Sequence, residues 1–410
     1  MKPQKIKALS AIIAASLLMS ACSGGKDEET AAADENTSEI TETDTETEAP
    51  TEAAADETTE STAEPSETEA AEPTPAHGPF STAVVTDKIV EKYGQLHIEG
   101  THIVSSDGQI VQLEGMSTYG MNGMYGFVNK DTVQTLAEDW GCDIIRMAMY
   151  TGTGDENYIS NPDKYFDQMC EYVDLCIDQG VYVIIDWHIL YDGNPNTYKA
   201  EAIDFFSRIS EIYADCPNVF YEICNEPNSS GEDVEVDWDN CIKPYAEEVI
   251  AAIRANDPDN IIIVGTPTWS QDVDTASMNP LDDENVMYTV HFYAGTHGQD
   301  HIDKVQTAID NGVAVFCTEW GTTYDSGNGL VFVDKSQQWL DFFDENSISW
   351  CNWSIGGSSS EASNALRFIS NVLTTEEKYA GHWPDEFISD SGLYVRDMIL
   401  DVDYVPRDER

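Results

Sequence analysis

The sequence predicts an α/β fold, a (β/α)8 TIM barrel with a small N-terminal hairpin, preceded by a disordered acidic linker. Three observations carry this reading. Eight short apolar runs alternate with amphipathic helical segments over about 300 residues. The runs are apolar at successive positions, as strands covered on both faces by crossover helices must be. No Gly-rich phosphate turn follows the first run, where GMSTYG stands, and this argues against an open doubly wound sheet.

The chain begins with a targeting segment. Lys2, Lys5 and Lys7 form a basic start, and Ala8–Met19 is an apolar run too short to span a bilayer. It ends in LLMSAC followed by SGG, which resembles a bacterial lipobox. The resemblance implies a signal peptide over 1–21, cleavage before Cys22, and lipid on that cysteine. Residues 22–79 are expected to be a lipid-anchored linker. From Lys26 to Pro79 there are 18 acids, one lysine and a single large aliphatic, Ile40. Such a segment cannot bury enough apolar surface to offset its ordering entropy. As a flexible coil it spans about 40 Å, and self-repulsion lengthens it. The folded domain is assigned to 80–410.

Within that domain LHIEGTHIVSSDGQIVQL reads as the hairpin, with SSDG its turn. Strands follow near Gln112–Ser117, Asp143–Met149, Val181–His188, Val219–Asn225, Ile261–Thr266, Val286–Phe292, Ala314–Glu319 and Ile348–Trp353. Helices are predicted at Asp131–Trp140, Lys164–Gln179, Lys199–Ala214, Trp238–Asn256, Asp300–Asn311, Asp334–Glu345 and Leu393–Leu400.

Charge narrows the partners. The chain has 76 acids against 20 bases, a net charge of −56. No basic patch is available to neutralise phosphates, so nucleic acid is excluded as a partner. Adhesion to anionic headgroups is disfavoured for the same reason, leaving membrane contact to the lipid anchor alone. A neutral substrate suits this surface. Eight cysteines beyond Cys22 (142, 170, 176, 216, 224, 241, 317 and 351) show no C-x-x-C or zinc-type spacing. They read as buried free thiols. No metal and no cofactor is expected.

In a barrel of this kind the chemistry lies at the carboxyl ends of the strands. Read in order, those ends carry Arg146 with Tyr150, His188 in DWH, Asn225 and Glu226 in NEP, Trp269, His291 and Tyr293 in HFY, Glu319 in TEWG, and Trp353 in CNWS. Any one of these alone has a bland explanation as a cap or a core residue. Two carboxylates, an arginine, two histidines and several aromatics at one rim are harder to dismiss. Paired carboxylates of this sort suit acid/base or glycosyl-transfer chemistry. Cys317 and Trp320, beside Glu319, read as packing.

The runs YVIIDWHIL, FYEICNEPN, IKPYAEEVI, TWSQDV, HFYAGTHGQ and SWCNWSI closely resemble bacterial secreted endoglucanases of glycoside hydrolase family five. The resemblance extends from about Tyr93 to Ile399. It implies a retaining endo-β-1,4-glucanase acting on cellulose or related soluble β-glucans, with Glu226 the acid/base and Glu319 the nucleophile. Arg146 should then hold Glu319 ionised, and the Glu319 charge should keep Glu226 protonated. Asn225 would bond the sugar 2-hydroxyl, His188 and His291 would orient the carboxylates, and Tyr293 would contact the nucleophile. Trp353 would stack under the sugar, and Trp269 would line the leaving-group side. The protein should act as a monomer, extracellular and anchored at the cell surface.

Two stretches depart from the family pattern. Relatives carry His-Gly-Leu-Gln-Trp-Tyr-Gly after the first strand, whereas this chain has Tyr119-Gly-Met-Asn-Gly-Met-Tyr125. The usual Trp platform therefore falls on Gly123, with Tyr119 or Tyr125 as candidate replacements in the glycone subsite. After the eighth strand, Ser358 and Ser360 stand where relatives have Lys and Glu, with Glu361 nearby. Preference for mannan, xylan or mixed-linkage glucan stays open on this reading. Two rivals are weaker. A metal-dependent hydrolase built on His188, His291, Glu226 and Asp186 would want His-x-His on the first strand, which reads Ser117-Thr118-Tyr119. A non-catalytic glycan-binding lipoprotein would have lost an essential group, yet both Glu226 and Glu319 are present.

Overall fold

The computed structural model describes residues 88–123, 127–231, 234–356, 362–367 and 380–410. The expected signal peptide and linker, Cys22, Tyr125, Ser358, Ser360 and Glu361 lie outside the described residues.

A short helix α1 (Ile89–Tyr93) leads into a three-stranded antiparallel sheet of β1 (His97–Glu99), β2 (His102–Val104) and β3 (Ile110–Val111). The hairpin reading holds, with one more strand than two. Eight further strands close a parallel barrel: β4 (Glu114–Ser117), β5 (Ile144–Tyr150), β6 (Tyr182–His188), β7 (Val219–Glu222), β8 (Ile262–Val264), β9 (Val286–Tyr293), β10 (Val315–Gly321) and β11 (Trp350–Trp353). They pair in chain order, and β11 pairs with β4 to complete the circle. Closure draws β4 close to β5: a Cβ at Gly115 would lie 1.8 Å from the Ile144 carbonyl oxygen, so only glycine fits there.

Strand periodicity sorts the apolar residues into two cores. Ile144, Ile184, Phe220, Ile263, Met287 and Phe316 point inward and meet Leu96, Ile103 and Val111 of the small sheet, which packs against the interior side chains of the barrel. Their alternates Ile145, Val183, Ile185, Tyr221 and Val290 point outward under the helices. The helices are α2 (Lys130–Gln134), α3 (Pro162–Gln179), α4 (Lys199–Tyr213), α5 (Lys243–Arg254), α6 (Pro267–Ser270), α7 (Val273–Ser277), α8 (Gln299–Asp310), α9 (Val333–Asn346) and α10 (Asp390–Ile399). In α3, Tyr165, Phe166, Met169, Cys170, Val173 and Cys176 repeat at helical spacing and are buried. Pro162 opens α3, and Gly180, at φ +69°, ends it.

Two predicted helices differ from their expected form. The segment expected as one helix over Asp131–Trp140 is α2 followed by a π-helical turn, Thr135–Asp139. There the Trp140 N–H reaches back five residues to the Thr135 carbonyl at 3.0 Å, and Trp140 is buried edge-on against Trp383. A second π turn, Trp238–Ile242, precedes α5. Between β8 and β9, where no particular helix was assigned, α6 and α7 form. Among the described residues no helix is long and apolar enough to cross a membrane.

Candidate active site

Inward-pointing positions near the carboxyl ends of the strands turn polar, and register brings them together. Arg146 stands opposite Ser117, Asp186 opposite Glu222, His188 opposite Tyr150, and Glu319 opposite His291. Strand β10 departs from simple alternation: its register shifts between Phe316 and Glu319. A bulge of this kind re-aims side chains. It lets two consecutive residues, Thr318 and Glu319, both reach the site.

Arg146 is fully buried and is the hub. Its Nε and Nη2 bond the two oxygens of Glu222 at 2.7 and 3.2 Å. Nη1 lies 3.2 Å from Glu319 Oε2, and Nη2 lies 2.9 Å from Asp186 Oδ2 and 2.6 Å from Asn225 Oδ1. The guanidinium thus faces three carboxylates rather than serving Glu319 alone, as the sequence suggested. Its charge is divided, and burial outweighs it at Glu319, whose carboxyl is raised by desolvation and by the nearby Glu226. The expectation that Arg146 would hold Glu319 at a low pKa is corrected to that extent.

The two carboxylates nevertheless have different neighbours. Glu319 accepts from Arg146 and, at 2.8 Å on Oε1, from the Tyr293 hydroxyl, and both donors stabilise its charged form. Glu226 has His291 Nδ1 at 2.9 Å and no cation in hydrogen-bond contact. Burial pushes the Glu226 carboxyl up to about 8, with Asp186 and Glu222 adding to the shift. Glu226 is therefore the proton holder of the pair and Glu319 the ionised member. One oxygen of each lies within 4.8 Å of the other.

Both histidines are neutral. Desolvation lowers His188 to about 3 and His291 to about 4. His188 Nδ1 donates to Asp186 Oδ2 at 2.6 Å, and its ring lies parallel to Trp353 at 5.2 Å. Asp186 itself is raised by burial to about 7 despite Arg146. Asn225 is wholly buried, with its carbonyl on Arg146 and its amide on the Ile189 carbonyl at 2.9 Å and, by a long contact of 3.5 Å, on His188 Nε2.

Trp353, Trp269, Tyr293, His188, His291, Glu226 and Glu319 all line one cavity of about 580 Å³. Trp269 reaches it through a backbone few side chains tolerate: Thr268, Trp269 and Ser270 have φ of +58°, +55° and +57°. The turn is pinned by the Trp269 N–H on the Pro227 carbonyl at 3.0 Å and by the Ser270 hydroxyl on the Asn225 carbonyl at 2.6 Å. Tyr119 packs on Trp353 at 5.4 Å. A second cavity, about 380 Å³, adjoins the first through Tyr119, Tyr150, Leu190 and Tyr191, and Gly123 opens onto it.

Sequence reasoning missed four residues. Glu222 and Thr318 bind inside the network, Thr289 supports Thr318, and Tyr191 is an 81% exposed ring at the junction of the two cavities. For Glu222 a signal existed, since a carboxylate two residues into the inward series of an apolar strand must have a buried partner. Thr318 carried a weaker one: two residues beyond inward-pointing Phe316 it faces the interior by alternation, and it is Glu319 whose aim depends on the bulge. Cys317 and Trp320 are buried packing residues, as expected.

Glu226, His291 and Glu319 together present three atoms close enough to ligate a cation. The fit is poor: Arg146 sits 3.2 Å from Glu319, and a metal would face that fixed positive charge.

Residues 104–359 match the family described as Cellulase (glycosyl hydrolase family 5). The chain is 50% identical over 306 residues to an endoglucanase of Clostridium saccharobutylicum, covering 75% of this chain and 65% of that protein. It is 48% identical over 326 residues to Endoglucanase A of Evansella cellulosilytica, covering 80% and 64% respectively. The chain thus spans just under two thirds of the length of these relatives. Among solved structures, Cellulase Cel5C_n superposes with a TM-score of 0.71 at 42% identity, covering 78% of this chain and 97% of that one. The catalytic domain of a Thermobifida fusca endoglucanase, in variant form with cellotetraose, gives 0.69 at 34% identity, covering 76% and 99%.

Proposed function

The chain belongs to the cellulase family, glycosyl hydrolase family 5, and from that premise we propose that it is a retaining endo-β-1,4-glucanase of cellulose or related soluble β-glucans. The observation that carries the reading is the carboxylate pair. Retaining enzymes hold their two carboxyl groups about 5–5.5 Å apart, and inverting ones about 6.5–9.5 Å, to admit a water. Oxygens of Glu226 and Glu319 within 4.8 Å favour the first arrangement.

In the first step an oxygen of Glu319 attacks the anomeric carbon. The bond to the leaving oxygen breaks, and that oxygen takes the proton of Glu226. In the second step the Glu226 carboxylate removes a proton from water, whose oxygen attacks the same carbon. The glycosyl ester then breaks, and its electron pair returns to Glu319. Arg146 and Tyr293 keep Glu319 charged before attack. The Asn225 amide serves the sugar 2-hydroxyl, exchanging for it the long 3.5 Å contact to His188 Nε2. Trp353 supplies an apolar floor, and Trp269 a second ring on the leaving-group side. Endoglucanase names among the relatives and the cellotetraose complex of a related catalytic domain support the substrate class.

Proton NMR of a fresh digest of soluble cello-oligosaccharide tests the stereochemistry. The β-anomer should appear first and mutarotate afterwards. Initial α-anomer would overturn the retaining reading, and no product from any β-glucan would overturn the activity.

The N-terminal features support an extracellular lipoprotein held at the membrane by Cys22, with residues 22–79 as its tether. Cys22→Ser should move the protein from the membrane fraction to the medium. Unchanged partitioning would remove the anchor from the account.

A further inference from the structure

With the imidazole neutral, the hydrogen bonds around His291 admit one assignment of protons. Glu222 receives two bonds from the guanidinium of Arg146, so it is an acceptor. Thr318 Oγ1 lies 2.7 Å from Glu222 Oε1, and only the Thr318 hydroxyl hydrogen can bridge them. Thr318 has no second hydrogen to offer. Its oxygen must therefore accept from His291 Nε2 at 2.9 Å and from the Thr289 hydroxyl at 2.6 Å. Thr289 Oγ1 in turn accepts the Thr318 backbone N–H at 3.2 Å. Every hydrogen in the group then has an acceptor.

The consequence falls on the other ring nitrogen. With its proton on Nε2, neutral His291 presents a lone pair at Nδ1, 2.9 Å from Glu226 Oε1. A carboxylate there would set lone pair against lone pair, whereas a carboxylic acid donates into it. We infer that Thr318 and Glu222 are positioning residues that lock His291 as the Nε2–H tautomer and thereby hold the catalytic proton on Glu226. Resting on the hydrolase reading above, the inference adds how the acid is kept loaded. After Glu226 has given its proton to the leaving oxygen, the same lone pair opposes its carboxylate. That makes Glu226 a stronger base toward the water of the second step.

The alternative, a charged imidazole bonding both sides, is disfavoured by the surroundings. The charged and titratable groups around His291 are Glu226, Glu319, Glu222, Arg146 and His188, with Asp186 reaching Glu226. Arg146 and burial both oppose a second positive charge, and the ring is lowered to about 4.

Thr318→Val keeps the shape and removes the hydroxyl, and Thr318→Ser keeps the hydroxyl. In the valine variant His291 loses its Nε2 acceptor, shifts to the Nδ1–H tautomer and donates to Glu226, stabilising the carboxylate. The alkaline limb of kcat/KM on cello-oligosaccharide should move down by about one pH unit. Turnover of that substrate should fall roughly tenfold or more, with little loss on a dinitrophenyl glycoside that needs no proton. Thr318→Ser should restore the wild-type profile. A valine variant with the wild-type alkaline limb, or a serine variant that behaves like valine, would overturn the inference. Should the valine variant fail to fold, 15N NMR of imidazole-labelled wild-type protein decides. His291, assigned against His291→Gln, should show a bare Nδ1 and a protonated Nε2, and the reverse pattern would sink the relay. That readout needs no turnover, so it separates this inference from the proposed activity.

Discussion

Glu226 and Glu319 approach within 4.8 Å, yet their neighbours differ in kind: a neutral imidazole beside one, a guanidinium and a phenol beside the other. That contrast sets a pH dependence. Glu226 acts in its protonated form, so kcat/KM should fall as pH rises through about 8, where burial has pushed its carboxyl. A profile on soluble glucan with its alkaline limb below pH about 6 would contradict the assignment. The same shift has a sign for stability. A carboxyl raised in the folded state binds its proton more tightly there than in the unfolded chain. Folding stability is therefore full below the ordinary carboxylate range and is lost as pH rises toward about 8. Glu226→Gln keeps a donor for His291 Nδ1 and removes the ionisation. It should raise the stability measured by denaturant unfolding at neutral pH by on the order of 1–3 kcal/mol while removing activity on unactivated glucan. A variant no more stable than wild type would mean that the buried carboxyl is not held against its charge.

At the scale of elements, the two loops facing the smaller cavity decide how a distal sugar is held. Gly123 has open space around it and an ordinary φ, so a bulky ring can be placed there without strain. Gly123→Trp should lower KM on short cello-oligosaccharides and leave kcat nearly unchanged, the sign of uniform binding. Tyr191, exposed between the cavities, is the aromatic already available, and Tyr191→Ala should raise KM several-fold by removing a stacking surface of about 1 kcal/mol. If the tryptophan changes nothing while the alanine is severe, Tyr191 already occupies the platform role. The turn at Thr268–Ser270 poses the opposite problem. A β-branched residue at φ +58° costs about 1–2 kcal/mol, so Thr268→Gly should raise the midpoint of denaturant unfolding and loosen the placement of Trp269, raising KM. Much of this site could be read from sequence because barrel chemistry collects at strand ends, and runs such as DWH, NEP and TEWG mark those ends. The rest lay where local periodicity fails. The bulge in β10 turns Glu319 inward beside Thr318 against alternation, three left-handed residues aim Trp269, and the π turns begin where ordinary helix was expected. Each is set by tertiary packing, which a one-dimensional pattern does not carry.

For the molecule as a whole, closure of the barrel leaves two apolar cores and a strongly acidic exterior, and residues 80–410 alone carry a net charge of roughly −40. The eight described cysteines are all unpaired, and seven are buried. Burial raises the thiols of Cys142, Cys170, Cys176, Cys216, Cys224, Cys317 and Cys351 above their ordinary range, so the native fold keeps them protonated and out of reach of oxidants. That protection ends with the fold. In an unfolded chain the same groups regain ordinary acidity, and at pH about 8.5 in air they can oxidise and pair at random. Heat inactivation should then behave as a one-way process governed by the rate of unfolding rather than by an equilibrium. A sample heated past its transition and cooled should recover little of its first calorimetric peak in air, and a clearly larger share under a thiol reductant. Equal recovery in both would show that aggregation, not thiol chemistry, closes the way back. The sulfurs that the barrel hides therefore serve as an irreversible record of each excursion out of the native state.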